Sequence, residues 1–303
     1  LESQLAEWDF SQPTLDVRSP DDFYNCHLKS SALIAWQTLP QRLNELPPRQ
    51  TSLQLIVPSE NCVDVQRFLQ EKGYDVTRTL IWPKNEGLNL FLCQNQKNSK
   101  DFADILSEFP VLLEGAFERG RTFSPLWRPN ALLQHFIEEV LPLEDTEDNR
   151  RMTALDIGCG GGREAVYLAR KGFKVTAIEH KSQVLQRAQQ LAQQYETDIR
   201  FKQCDATQNG CLPPLPQEMV MGFRFLDRAL LARINQQIAP GGWLIWQTFV
   251  EGVQKFGSPK NPRFILQPGE LAQLFPHYRI LVDKIETIED GRPVNSFIAQ
   301  KPL

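Results

Sequence analysis

Short apolar runs alternate along the chain with segments whose apolar residues recur every three to four positions, and this happens in two separate series. The first series runs LDVR (15–18), SALIAW (31–36), LQLIV (53–57), a helical stretch over 62–72, and DVTRTLIW (75–82). Strand-length runs between helical segments predict a parallel α/β sheet. Residues 94–101, QNQKNSKD, are polar and aperiodic, which predicts a linker. Helices are expected over 101–109 and 130–141, with the loop ERGRTFSPLWRP between them and the charged loop EDTEDNRR after them.

The second series opens with a strand, TALDIG (153–158), a helix, REAVYLARKG, closed by Gly172, and a strand, KVTAIE (174–179). The next helix shows its apolar face at Val184, Leu185, Ala188, Leu191, Ala192 and Tyr195. Strands IRFKQC and MVMGF come next, then a helix over 227–239, a turn at PGG and the strand WLIWQTF. The tail reads as a helix over 268–275 and two strands, RILVDKIETI and NSFIAQ, joined by DGRP, a hairpin signal. The expected organisation is therefore an α/β domain over 1–95, a linker and lid over 96–125, and a second α/β domain over 126–303, made of five alternating units that end in an antiparallel pair.

Composition narrows the function classes. The chain has 303 residues, 41% hydrophobic and 23% charged, enough for two globular cores. No apolar run approaches the roughly 18 residues of a membrane span, so a membrane partner is not expected. Net charge is −4, with 10 basic and 12 acidic residues up to residue 100 and 23 and 25 after it. Neither half has the basic excess that nucleic acid or anionic lipid demands. Six cysteines (26, 62, 93, 159, 204, 211) contain no CxxC pair, and no secretory signal opens the chain at Leu1. Reduced thiols and a cytoplasmic setting are the expectation. Cys204 has no His or Cys at ligand spacing, so no metal is expected there.

The candidate chemistry starts at LDIGCGGGREA. Gly158, Gly160 and Gly162 form a tight turn between strand and helix, where backbone can approach a ligand and the helix N-terminus faces it. A dinucleotide fingerprint, GxGxxG, needs a third glycine where this chain has Arg163, and the sequence instead reads DxGxGxG from Asp156. That pattern resembles motif I of the class I S-adenosylmethionine-dependent methyltransferases, and the resemblance extends over roughly 126–303. It implies a Rossmann-like seven-stranded sheet and S-adenosylmethionine as cofactor. Glu179 stands at the end of the second strand, where a carboxylate would accept from both ribose hydroxyls. Asp205 in QCDA would accept from the adenine amino group, and Ala206 would supply a backbone donor. By the same analogy Asp156 bonds the loop and the methionine amino group, while Phe225 and Leu226 wall the adenine. Cys159, at the helix N-terminus where thiol pKa values can fall, reads as small-residue packing.

Evidence on the acceptor comes from the segment after the fourth strand. GFRFLDR (222–228) stands where amine-methylating enzymes have an NPPY-type motif, which disfavours an amide or exocyclic amine. RFLDR, PGGWLIWQTF, KFGSPKNPRFILQPGEL and FSPLW resemble small-molecule enzymes related to the tellurite-resistance methyltransferases, whose acceptors are soft anions or thiols. Arg224, Arg128 and Trp127 are the candidate acceptor-site residues, with Phe123 beside them in the lid. Trp127 reads equally as an interdomain anchor, and Arg228 more readily as one end of a surface salt bridge. His180 is the histidine expected nearest the cofactor, at the rim.

LDVRSPDDFYNCHLKSSALIAW resembles the start of a rhodanese domain. Leu15 to Arg18 and His27 match, whereas Cys26 replaces a glycine and Ser30 and Ser31 stand where Gly-Ala is usual. After LQLIV that family has a cysteine-led loop, and this chain has Pro58, Ser59, Glu60 and Asn61. Cys62 lies 11 residues before Gly73, which a helix of about three turns already fills. Cys62, Val65 and Leu69 share a helical face, so Cys62 reads as a core residue. The smaller first domain is thus expected to be a rhodanese-like scaffold lacking its nucleophile, serving a homodimer, a protein partner or the lid. The reading is methyl transfer to a small-molecule thiol, selenol or oxyanion. A non-catalytic S-adenosylmethionine sensor or scaffold is the alternative, and a sulfurtransferase using Cys62 a weaker one.

Overall fold

The computed structural model describes residues 5, 8–49, 51–82, 116–121, 125–141 and 152–303. The expected linker at 94–101, the helix at 101–109, Phe123 and the loop EDTEDNRR lie outside the described residues. Packing divides the chain into two units, Leu1–Arg128 and Pro129–Leu303.

In the first unit β1 (Thr14–Asp16), β3 (Ser31–Leu33), β4 (Leu53–Pro58) and β5 (Val76–Trp82) form a parallel sheet in the order β3-β1-β4-β5. Between β1 and β3 come α1 (Pro20–Asn25), N-capped by Ser19, and β2 (His27–Leu28), which pairs with β6 (Phe117–Glu118). The expected α/β rhythm is present. Arg18 and Asp16 form a buried ion pair at 2.7 Å, and the Arg18 guanidinium lies 3.7 Å from the Trp82 ring centre. The stretch after β4 is a single 3-10 turn, Ser59–Asn61, which leads directly into α2 (Cys62–Glu71). Val65 and Leu69 are fully buried, whereas Cys62 is half-buried against the same core. With no chain left to form a cradle and no thiol ahead of the helix, thiosulfate sulfurtransferase activity is expected to be absent. A cyanolysis assay checks this: a rate that disappears in Cys62→Ser would overturn it.

The second unit starts with α3 (Ala131–His135), capped by Asn130 and continued by a π-helical turn, Phe136–Val140. Then β7 (Thr153–Ile157), α4 (Arg163–Arg170), β8 (Lys174–Glu179), α5 (Ser182–Gln194), β9 (Ile199–Gln203), β10 (Gln217–Phe223), α6 (Arg228–Arg233), β11 (Ile238–Phe249), α7 (Glu270–Leu274), β12 (Arg279–Thr287) and β13 (Pro293–Gln300) succeed one another. Among the described residues they build a seven-stranded sheet, β12-β13-β11-β10-β7-β8-β9, in which β13 is antiparallel to both its neighbours. The sheet is mixed, with its remaining strands parallel. Alternate residues feed cores on opposite faces: Leu155, Val220, Leu244 and Trp246 on one, Ala154, Met221, Ile245 and Ile298 on the other.

Three local expectations are corrected. PGG makes no turn between helix and strand, because Pro240, Gly241 and Gly242 lie inside β11, opposite a register shift in β10. A Cβ at Gly242 would lie 2.9 Å from the Ala239 carbonyl oxygen, so the glycine there relieves crowding. The helix expected over 227–239 ends at Arg233 and continues as a 3-10 turn, Ile234–Gln237. Finally, the expectation of reduced thiols fails at Cys204 and Cys211, which form a disulfide. Turn bonds from Gln208 N–H to the Asp205 carbonyl and from Cys211 N–H to the Gln208 carbonyl fold the chain back, setting the two Cα atoms 5.9 Å apart. No helix of the described residues is long and apolar enough to cross a membrane.

Candidate cofactor and acceptor site

The chain builds β7, β8 and β9 outward in one direction and then returns to place β10 on the other side of β7. Such a reversal opens a crevice at the carboxyl ends of the two central strands, where ligands of open α/β sheets bind. Residues 158–162 enter that crevice from β7 and residues 224–226 from β10.

Gly158, Gly160 and Gly162 all take positive φ, at 71°, 55° and 81°, which only glycine adopts freely. Gly158 and Cys159 both donate their N–H to the Ile178 carbonyl at 2.9 Å, pinning the turn onto β8. Gly162 has a second role, since a Cβ there would sit 2.8 Å from the Ala188 Cβ on α5. It permits the close packing that a dinucleotide fingerprint assigns to the later glycine.

Three carboxylates gather at this turn. Asp156 is buried, and its Oδ2 has no hydrogen-bond partner. Burial first, then the Glu164 and Glu179 charges, raises its pKa well above the carboxylate range. Glu179 is 8% exposed; it accepts from Gly160 N–H at 3.3 Å and from Lys181 N–H at 2.9 Å. The exposed His180 ring lies 3.1 Å from the same carboxylate, at the rim. Glu164, on the first turn of α4, accepts from Asn130 N–H at 3.2 Å. Asp205 is exposed beyond β9, its Oδ1 accepting from Thr207 N–H and Oγ1 at 2.9 and 2.7 Å, bonds that lower its pKa. Ala206 beside it is buried. Cys159 is buried too, and burial pushes its thiol far up, the opposite of an activated nucleophile.

From β10, Phe225 lies against the turn: a Cβ at Gly158 would be 3.0 Å from its ring. Its carbonyl accepts from the Trp246 indole at 3.0 Å, and that indole fills the space left by Gly222, where a Cβ would fall 2.5 Å from the ring. Sequence reasoning missed this Gly222–Trp246–Phe225 stack, although a glycine inside a strand run signals such an approach. It also missed the chain from Asn130 Nδ2 to Gln247 Oε1 at 2.7 Å and on to Ser296 at 2.7 Å. Arg224 takes φ 55° and stays exposed, its N–H bound to the Gln247 carbonyl at 2.7 Å. Arg228 is committed to Glu270, at 2.6 and 2.9 Å, and to the Arg263 and Ile265 carbonyls, so it is a structural residue. Trp127 is buried and Arg128 exposed, and both belong to the first unit.

An orphaned buried carboxyl oxygen, with two more acids around a turn stripped of side chains, fits a ligand carrying an ammonium or sulfonium charge and hydroxyl donors. Residues 154–242 match the family model described as a methyltransferase domain. The second unit carries a class I S-adenosylmethionine-dependent methyltransferase domain, and the protein is an S-adenosylmethionine-dependent methyltransferase. An uncharacterized protein of Schizosaccharomyces pombe is 25% identical over 337 residues, covering 95% of this chain and 93% of its own. The ubiquinone biosynthesis O-methyltransferase of Paracidovorax citrulli is 28% identical over 157 residues, 50% of this chain and 63% of that enzyme. Among solved structures, TehB from Haemophilus influenzae is similar at 17% identity and a TM-score of 0.42, over 56% of this chain and 67% of its own. The family match and the P. citrulli similarity leave the rhodanese-like reading of the first unit unsupported.

The buried acid sets a pH signature. An acid whose pKa is raised on folding binds its proton more tightly in the native state, so stability is present at low pH and falls as pH rises from about 3.9 through the raised value. Asp156→Asn removes that slope. The melting temperature of the ligand-free variant, minus that of the wild type, is expected to increase from pH 4 to pH 8; a flat difference would show that Asp156 titrates normally.

Proposed function

We propose that the enzyme methylates a small molecule through a soft or anionic nucleophile, a thiolate, selenolate or oxyanion, and that Asp156, Gly158, Gly160, Gly162, Glu179, Asp205, Ala206 and Phe225 hold the donor. The observation that carries the acceptor half is the carboxyl end of β10. The sequence there, GFRFLDR, is not an NPPY-type motif, and the first residue after the strand is an exposed cation, Arg224. S-adenosylmethionine supplies an electrophilic methyl group.

The residues of this chain hold and orient. Glu179 and Asp205 would anchor the two ends of the nucleoside, Asp156 would face the amino group, and the Phe225 ring would close the wall over Gly158. Arg224 would align an anion that needs no base at the moment of attack. Orientation of that kind contributes about 7–11 kcal/mol at its upper limit. The first unit, read as a rhodanese-like scaffold without its nucleophile, would serve docking, lid support or dimer contacts. A sensor that binds the donor without transferring from it is not favoured.

The test incubates the full chain with S-adenosylmethionine and separate pools of thiols, selenols, oxyanions, RNA and protein, and measures S-adenosylhomocysteine release. Turnover on a small thiol, selenol or oxyanion is expected. Robust methylation of RNA or protein, with none on the small acceptors, would overturn the reading.

A further inference from the structure

The two loops that meet at the switch point each deliver an arginine. Arg163 is the first residue of α4, directly after Gly162, and Arg224 directly follows β10. A short hydrogen-bonded circuit ties the two positions together. Glu164 accepts from Asn130 N–H, the Asn130 amide donates to the Gln247 side chain, and the Gln247 carbonyl accepts from Arg224 N–H. Arg292 completes the edge from the β12–β13 turn, stacked 4.4 Å from the centre of the Phe249 ring and paired with Asp290.

These arginines differ from others around the same sheet edge. Arg228 is held by Glu270, Arg233 by Asn209 and the Thr207 carbonyl, and Arg263 by Asp227. Among the described residues the guanidinium groups of Arg163 and Arg224 have no hydrogen-bonded or ion-paired partner. Arg224 faces the Arg163 and Arg292 cations, offset in part by the Asp290 and Glu164 carboxylates, neither of which bonds its guanidinium, so the group is left able to take an anion. A positive φ is disfavoured at a non-glycine residue, so Arg224 is held in this position against its own backbone preference.

Resting on the methyltransferase reading above, we propose that Arg163 and Arg224 form an anion clamp for the acceptor, taking a carboxylate or comparable oxyanion that the acceptor carries. Arg292, ion-paired with Asp290, is committed and forms no part of the clamp. The lowered pKa of Arg224, set by the protein packed about it and then by the Arg163 and Arg292 cations, agrees with this crowding of charge. A guanidinium suits the task because its fork matches a carboxylate in two parallel bonds.

The same chemistry is present at the methionine end of the donor, so the experiment has two arms. In the first, calorimetry measures S-adenosylhomocysteine binding to the full chain and to its Arg163→Gln and Arg224→Gln variants, after matched melting curves confirm folding. Affinity within about twofold of wild type is expected in both variants. In the second, each protein saturated with S-adenosylhomocysteine is titrated with acetate, sulfate and selenite. Wild type is expected to bind at least one of them, with about tenfold or greater loss in each variant and a smaller loss in Arg224→Lys. A fall in S-adenosylhomocysteine affinity would assign the arginines to the donor carboxylate and overturn the proposal. So would anion binding that neither variant weakens, or no anion binding at all. Wild type that fails to bind S-adenosylhomocysteine would instead defeat the methyltransferase reading on which the clamp rests.

Discussion

Replacing Glu179 by Ala is expected to weaken S-adenosylhomocysteine binding by more than tenfold. The carboxylate ends β8 and is 8% exposed, with its two oxygens already held in place by Gly160 N–H and Lys181 N–H. Its orientation is therefore fixed before a ligand arrives. Hydrogen bonds from two ribose hydroxyls to a charged acceptor contribute about 1.5–3 kcal/mol each, and about 1.4 kcal/mol is already tenfold. Loss of the Gly160 contact adds to the effect by releasing the middle of the turn. Asp205 is exposed and shares its Oδ1 with Thr207, so Asp205→Ala is expected to cost less than Glu179→Ala. Calorimetry on both variants decides: unchanged affinity in both would remove these residues from the donor site.

Gly222→Ala is expected to destabilise the second unit by about 2–4 kcal/mol, through the clash of a new methyl group with the Trp246 ring. The methyl would lie 2.5, 2.6 and 2.7 Å from three atoms of that ring. The indole is fully buried in the core and donates to the Phe225 carbonyl, so it has no open space to turn into and would leave a polar atom unpaired if it moved. The φ of Gly222 is not in the left-handed region, so the loss is steric rather than conformational. Denaturant titration measures it, and Trp246→Phe in the same background should recover part of the loss. A strictly additive double-mutant cycle would show that the two residues do not meet.

The order of elements from residue 153 onward was legible because each strand buried on both faces is a continuous apolar run and each crossover helix has its own period. The glycine turn and Glu179 were legible for a related reason: the βαβ unit fixes the distance along the chain between them. The rest depends on partners far apart in sequence. Asn130 and Gln247 are separated by 117 positions and Gln247 and Ser296 by 49, and no local pattern announces either pair. Arg224 looks in the sequence like any residue after a strand, because its φ is set by a bond to the neighbouring strand. Cys204 and Cys211 lack a recognised spacing, and only the turn through Gln208 brings them together. PGG reads as a turn but is not one, because β10 and β11 change register just where those residues fall.

The position of β13 governs when this domain can assemble. Residues 293–300 sit between β11 and β12, with seven residue pairs on one side and eight on the other, and their central six positions are buried. The β7-β8-β9 half of the sheet is complete by Gln203, yet the flank behind Arg224 stays open until the 293–300 segment inserts. A strand that enters last, against the prevailing direction, closes long loops before it is rewarded with contacts, which slows folding. A nascent chain stalled before residue 293 would carry an apolar β11 edge, Trp243 to Phe249, with nothing paired along it: a template for aggregation. Expression trouble in this protein should therefore track lesions in its closing hairpin more closely than lesions in the glycine turn.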